Sequence, residues 1–364
     1  MGASSAELTR FVGATIRSVH HYPATARSLW LRTIRNQILF TAVQSLPFIG
    51  TIAALIGLTI IVEAHAQGLQ FTYSDVLGKL LASVVVRELG PLLTAIVVIG
   101  RSGTAIAAEL GRRTRRAGAS SAELTRFVGA TLRSVRHYPA TARSLWLRTI
   151  RNQILFTAVQ SLPFIGTIAA LIGMTIIVEA HAQGLQFTYS DVLGKLLASV
   201  VVRELGPLLT AVVVIGRSGT AIAAELATNS VLGETDAMEA LGVDPLQYLV
   251  VPRVVGGAIS VALLTVYFNA ITLVGASAAA WLLDRLSPSE FAASLRLSLS
   301  AGDLLLMTFK GLVFGAGIAT LCSYAGLMGA RKPTDIPKSV TLGVVLSLMF
   351  VFSVSAVFSF MLYA

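Results

Sequence analysis

Charge is what this 364-residue sequence has least of: Asp, Glu, Lys and Arg together make up 13% of it, against about a quarter of a soluble globular chain. Acids are scarcer than bases, 18 against 28. The single cysteine, Cys322, lies inside an apolar run, which excludes an intrachain disulfide and leaves the redox compartment open. The five histidines form no ligand cluster; His65 and His181 each follow a glutamate in EAHAQ, where a solvated interfacial histidine outweighs a metal pair. No phosphate-binding loop occurs, since Gly78-Lys79 and Gly194-Lys195 are each followed by leucine and have no glycine five positions upstream. Nor is there a carboxylate pair, a zinc-ligand pattern or a nucleophile elbow, because GRSGT has its glycines at the wrong spacing. The chain is therefore not itself an ATPase, and no catalytic residue, metal or cofactor is expected.

What the chain has in excess is apolar length. Hydrophobic residues make up 55% and the mean hydropathy is +0.77. Ile38 to Val62, Ile154 to Val178, Val254 to Leu283 and Val340 to Tyr363 are uncharged runs long enough to cross a membrane. Leu80 to Gly100, its twin Leu196 to Gly216, and Leu304 to Met328 are spans that carry charge, bringing the total to seven. The 37 residues before the first run are basic and amphipathic and lack a signal-peptide h-region and cleavage site, so nothing is expected to be removed.

The sequence also repeats itself. Gly2 to Leu110 recurs as Gly118 to Leu226 at an offset of 116, with 105 of 109 positions identical; the differences are Ile16/Leu132, His20/Arg136, Leu58/Met174 and Ile96/Val212. Architectural repeats of transporters keep a fold while their sequences diverge. Here exposed positions match as well as buried ones, which indicates a recent tandem duplication or an artefact of sequence assembly. The expected organisation is a partial duplicate with a basic linker over 1–117 and a complete unit over 118–364. The fold expected is all-α and polytopic: an interfacial helix plus five transmembrane helices in the complete unit, preceded by an interfacial helix plus two spans.

Between the copies, Arg112 to Arg151 holds ten arginines and one acid, Glu123, which places that stretch and the N-terminus in the cytoplasm. The segments near Thr228 to Arg253 and Gly329 to Ser339 are then also inside, and the C-terminus is outside. Within the belt, YPATARSLWLRTIRN (Tyr138 to Asn152) reads as an interfacial helix on the inner leaflet. This belt accounts for the net charge of +10 as lipid-headgroup anchoring, so no nucleic acid is expected as a partner.

VVRELGPLLTA, at Val85 to Ala95 and again at Val201 to Ala211, puts Arg, Glu, Gly and Pro into an apolar run. A charge at mid-membrane costs about 2.5–3.5 kcal/mol on insertion scales, so Arg203 and Glu204 should face protein or water. Adjacent helical residues point about 100° apart, so the two cannot neutralise each other. Pro207 cannot donate to the carbonyl of Arg203, and the helix is expected to bend or break there. Glu204 and Lys310 lie at matching depths, roughly 9–12 Å below the outer surface by helical rise. Arg203, Glu204, Leu205, Pro207, Lys310 and Tyr189 are accordingly the candidate lipid-headgroup site. In GRSGTAIAAEL, Gly219 and Ala223 form a seam where another helix can approach closely.

Asn229 to Arg253 (NSVLGETDAMEALGVDPLQYLVVPR) is mostly acidic in a place where topology favours bases. Glu234, Asp236, Met238, Glu239 and Asp244 are the candidate surface for a cytoplasmic motor. DAMEALG loosely resembles the coupling loop of ABC importer permeases.

Taken together, RELGP (Arg203 to Pro207), GRSGTAIAAEL (Gly216 to Leu226), MEALGVDPLQYLVVPR (Met238 to Arg253) and FKGLVFG (Phe309 to Gly315) resemble the MlaE-type permeases of ABC lipid transporters over essentially all of Gly118 to Ala364. The resemblance implies a bacterial inner-membrane, multi-pass homodimer. Its implied partners are two cytoplasmic ATPase subunits and a periplasmic mammalian-cell-entry-domain lipid-binding protein, and its implied cargo is phospholipid or a related lipid. One departure is Ser355 in FVFSVSAVF, where family members commonly carry an acid. A passive channel or secondary transporter is the alternative that the residues alone leave open.

Overall fold

The computed structural model describes residues 117–136, 143–182, 197–284 and 286–363, together with Gly50, Thr51, Ala54 and Gly57. All of these lie in the compact unit that runs from Phe48 to Ala364. Among them every regular element is a helix. In chain order they are α1 (Ala117–Arg136), α2 (Arg143–Thr157), α3 (Leu162–Ala182), α4 (Gly206–Val214), α5 (Thr220–Val231), α6 (Glu234–Ala240), α7 (Val251–Asp284), α8 (Pro288–Ser298), α9 (Ala301–Gly329) and α10 (Ile336–Tyr363). Short 3-10 turns at Val159–Ser161 and Pro333–Asp335 lead into α3 and α10, and wider π-helical turns occur at Leu197–Leu205, Ile215–Gly219 and Leu246–Val250.

Among the described residues five stretches are long and apolar enough to cross a membrane: Arg148–Ala182, Val201–Val231, Leu246–Leu283, Ala301–Gly329 and Pro333–Met361. The complete unit therefore has the five spans its sequence predicts. Those of the first copy lie outside the described residues, apart from the four positions named above. The interfacial helix is met by α2, which turns Arg148 and Arg151 outward and Ile150 into the core. The residues immediately before it, 137–142, are not described.

Helix α7 is the axis of the bundle, packed along α3 on one side and α9 on the other, and α9 in turn meets α5 and α10. Small residues make these crossings close, because in lipid helices associate by backbone approach rather than by water exclusion. A Cβ on Gly315 would stand 2.8 Å from the Ala258 Cα. Neither backbone can give way there, so Gly315→Leu is expected to cost about 1–3 kcal/mol or more through overpacking. Thermal unfolding in detergent checks this, with Gly302→Ala as the tolerated comparison, since a Cβ there meets nothing closer than Ser300 Oγ at 3.4 Å.

The expected break at Pro207 takes another form. Leu197–Leu205 is wound as a π-helix and passes directly into α4, with Pro207 in the first turn, and the chain stays helical to Val231. In a helix that continues across it, Pro207 removes one intrahelical donor; the wider preceding turn accommodates its ring, and side chains of α7 and α9 donate to the Val202 and Arg203 carbonyls there. The span also outruns its predicted end at Gly216. Arg217, which reads as a terminus in the sequence, is held within the fold: it donates to Ser161 Oγ and, at 3.0 Å, to Gln160 Oε1, and it lies 5.8 Å from the Phe156 ring centre.

On the far side of the bundle from α6, Ser287 and Glu290 close a capping box around the start of α8, with Pro288 in its first turn. The Ser287 hydroxyl and backbone N–H hold the Glu290 carboxyl below its ordinary range.

Candidate functional site

The charged cluster is built by three spans. Arg203 and Glu204 leave the π-helical turn in different directions, and each finds its partner on α9. Arg203 Nη2 pairs with Asp303 Oδ1 at 2.8 Å, and Lys310 Nζ pairs with Glu204 Oε1. Asp303 and Lys310 are seven residues apart, hence on one stripe of α9. Asp303 also works locally: its Oδ2 accepts the Ser300 N–H at 2.8 Å and its own N–H donates to Ser300 Oγ at 3.3 Å. One carboxylate thus starts α9 and fixes the arginine, and the helix N-terminus favours its charge.

Glu204 is 3% exposed and Lys310 1%. The last span supplies the remaining donors to the glutamate: Ser355 Oγ reaches Oε2 at 2.9 Å and Ser359 Oγ reaches Oε1 at 2.8 Å. These serines lie four apart on one face of α10. Lys310 donates a second time, at 3.4 Å, to the carbonyl of Arg203, the one that Pro207 cannot engage. Its Nζ lies 6.0 Å from the Phe358 ring centre, within cation-π range. From α7, Asn269 Nδ2 donates to the Val202 carbonyl at 3.2 Å and to Met307 Sδ at 2.9 Å, with its side chain laid against Gly206.

Of the residues the sequence singles out, the structure brings Arg203, Glu204 and Lys310 together. Leu205 and Pro207 point into the packed core beside them, and Tyr189 lies outside the described residues. The Glu204–Lys310 pair is enclosed, while Arg203, 16% exposed, reaches furthest from it. Sequence reasoning missed Asp303, Ser359 and Asn269. A lone asparagine in an otherwise apolar span was the available signal for Asn269.

At the opposite end of the same continuous helix, on the order of 40 Å away by helical rise, α6 carries Glu234, Asp236 and Glu239 exposed and Met238 half-buried. Left-handed glycines bracket it, Gly233 at φ 75° and Gly242 at φ 76°. The Val243 N–H returns to the Met238 carbonyl at 2.9 Å, closing the helix as a Schellman motif. Asp244 is exposed and caps the next turn, accepting the Leu246 N–H at 2.9 Å. Leu232, Leu241, Val243 and Tyr248 are exposed around these acids. No group of three metal-ligating side chains occurs among the described residues.

A family model described as permease MlaE matches residues 34–120 and 150–361. The chain belongs to the MlaE permease family. Among curated relatives it is similar to a probable ABC transporter permease protein of Synechocystis, 34% identical over 185 residues, 50% of this chain and 70% of the relative. A probable ABC transporter permease protein of Rickettsia felis is 28% identical over 240 residues, 66% of this chain and 91% of the relative. The intermembrane phospholipid transport system permease protein MlaE of Haemophilus influenzae is 28% identical over 195 residues, 53% of this chain and 75% of the relative. The family match falls in two stretches. The second stretch holds every residue of the charged cluster and α6, whereas the first holds Arg87 to Pro91 without any counterpart of α7, α9 or α10.

Proposed function

We propose that the chain is the transmembrane subunit of an ABC transporter that moves phospholipid or a related lipid between the inner membrane and the outer envelope, driven by separate cytoplasmic ATPase subunits. The observation that carries this reading is one helix joining two sites: a buried cluster of opposite charges at one end and an exposed acidic helix at the other, in a chain with no nucleotide-binding loop. A homodimer, with a periplasmic mammalian-cell-entry-domain protein at the α8 end, completes the assembly. The basic belt of Arg112 to Arg151 supports a cytoplasmic α6. Phe164, Leu171, Met174 and Val178 form an exposed apolar stripe on α3, suited to acyl chains or to a second copy.

In this reading Arg203 meets the headgroup first, being the least enclosed of the cluster, with Leu205 and Pro207 in the same helical turn. Lys310 then exchanges the Glu204 carboxylate for a lipid phosphate. Glu204 keeps its charge solvated during that exchange, because Ser355 and Ser359 still donate to it. A serine at 355 suits this better than a second acid, which would repel Glu204 at the moment its lysine leaves.

Purification from native membranes tests the reading. An ATPase is expected to accompany the chain, and lipid transfer between vesicles is expected to require ATP hydrolysis. Transfer that proceeds without ATP would instead establish a passive channel or secondary transporter. The first copy lacks counterparts of α6 and everything beyond it, so a chain beginning at Gly118 is expected to bind the ATPase and transfer lipid undiminished. If that shortened chain is inactive while the full chain works, 1–117 is part of the machinery.

A further inference from the structure

Four cations stand in the stretches Val201–Val231, Leu246–Leu283 and Ala301–Gly329: Arg203, Arg217, Arg253 and Lys310. Three of them have a carboxylate. Arg203 pairs with Asp303, Lys310 with Glu204, and Arg253 Nη2 meets Glu225 Oε1 at 2.8 Å. Arg217 is the exception among the described residues, because its partners there are all neutral: Ser161 Oγ, Gln160 Oε1 at 3.0 Å and the Phe156 ring, whose centre lies 5.8 Å away. A charge within a span is expensive unless it meets a countercharge or water.

Depth indicates which countercharge is at hand. Arg217 lies 13 residues beyond Glu204 on one continuous helix, about 20 Å by helical rise. The Glu204–Lys310 pair is itself roughly 9–12 Å below one surface, so Arg217 stands at the far boundary of a hydrocarbon core about 30 Å thick. Phosphates of the opposite leaflet lie at that level. The guanidinium is positioned without being used up: it has five N–H donors, of which Ser161 and Gln160 take two. There is also room beside it. Gly216, the preceding residue, is exposed, and a Cβ added there would meet nothing within 4 Å. Val159 and Phe164, 49% and 58% exposed, flank the two holding residues and offer apolar surface to acyl chains.

We propose that Arg217, held by Gln160 and Ser161, is a second headgroup site, which binds the phosphate of a phospholipid in the leaflet opposite the Glu204–Lys310 pair. In the orientation proposed above that is the cytoplasmic leaflet. The site goes beyond the transport reading, since it holds a lipid whether or not the lipid is moved. Arginine suits the task because its planar fork matches two phosphate oxygens at once.

Native mass spectrometry of the full-length chain, purified from membranes in mild detergent, counts the phospholipids retained. Arg217→Gln is expected to retain one fewer per chain than wild type, and one fewer again when added to Arg203→Ala. The arginine also ties the start of α3 to the second span, so two variants separate charge from tie. Gln160→Ala with Ser161→Ala removes the tie and keeps the guanidinium, whereas Arg217→Lys keeps only a point charge; both are expected to retain the wild-type number. Thermal unfolding of the delipidated chain separates the sources of phosphate. The concentration of dioctanoyl phosphatidylglycerol that gives half the full rise in unfolding temperature is expected to increase about tenfold or more in Arg217→Gln, while the response to dioctanoylglycerol, which lacks the phosphate, stays the same. Three results overturn the proposal: an unchanged lipid count in Arg217→Gln, an equal loss in Gln160→Ala with Ser161→Ala, which would make the arginine a strut, or equal stabilisation by inorganic phosphate, which would make this a site for a free anion. Whether Arg203→Ala alone loses lipid tests the outer cluster and leaves this site untouched.

Discussion

Glu204→Ala is expected to destabilise the folded chain by about 3–5 kcal/mol, and Lys310→Ala by less, because the two deletions strand different groups. Without Glu204, the Lys310 ammonium stays 1% exposed with only the Arg203 carbonyl at 3.4 Å and the Phe358 ring at 6.0 Å. Without Lys310, the carboxylate still accepts from Ser355 at 2.9 Å and Ser359 at 2.8 Å. The double variant removes both charges and is expected to recover part of the loss, with a coupling of about 0.5–3 kcal/mol. Thermal unfolding in phospholipid-containing micelles gives all four corners of the cycle. Strictly additive losses would mean that the pair contributes nothing as a pair. Lipid recovered with the purified protein gives a separate readout: Arg203→Ala should lower it while leaving the unfolding temperature closer to wild type than Glu204→Ala does. Normal lipid occupancy in Arg203→Ala would remove the arginine from the headgroup site.

The spans were legible because each is an apolar run bounded by charge, and a bilayer leaves such runs one fate. Val254 to Leu283 became α7, Val251–Asp284, and Leu304 to Met328 became α9, Ala301–Gly329. The helix of the run ending at Gly216 continues to Val231, past Arg217 and Glu225, which read in the sequence as its cytoplasmic end. Arg217 is held instead by Gln160 and Ser161 at the start of α3, a contact decided by how two helices cross and invisible along either one. The Glu204–Lys310 meeting was readable from depth alone, since two opposite charges at one level in neighbouring spans have no better partner. Asp303 was not readable in the same way. Ser-Ala-Gly-Asp reads locally as a helix start, and it is one; that the same carboxylate spends its other oxygen on Arg203 is a tertiary fact. The π-helical turns left no sequence signal beyond Gly206-Pro207, where Asn269 packs against Gly206.

Glu234→Lys with Glu239→Lys is expected to release the ATPase subunits proposed above as partners, while the five spans still insert and fold. The segment meets the physical requirements of a docking surface. Helix α6 is fixed at both ends by left-handed glycines, so it presents its side chains in a defined orientation. Its acids are exposed beside exposed Leu241 and Tyr248, which supplies both the charge that steers association and the apolar area that holds it. The double substitution turns two negative charges into two positive ones at the rim of that surface. Within α6 itself the cost is small: Glu234 lies in the first turn, where a cation loses about 0.3–1 kcal/mol against the helix dipole, and none of the buried contacts of the bundle is touched. The expected pattern is therefore an unfolding temperature near wild type, normal membrane insertion, and loss of ATPase from the purified complex together with ATP-dependent lipid transfer. Leu241→Ser should weaken co-purification without the change in salt dependence that charge reversal brings. Full recovery of the ATPase with the doubly reversed chain would show that the motor docks elsewhere and that the acids of α6 are a solvated connector.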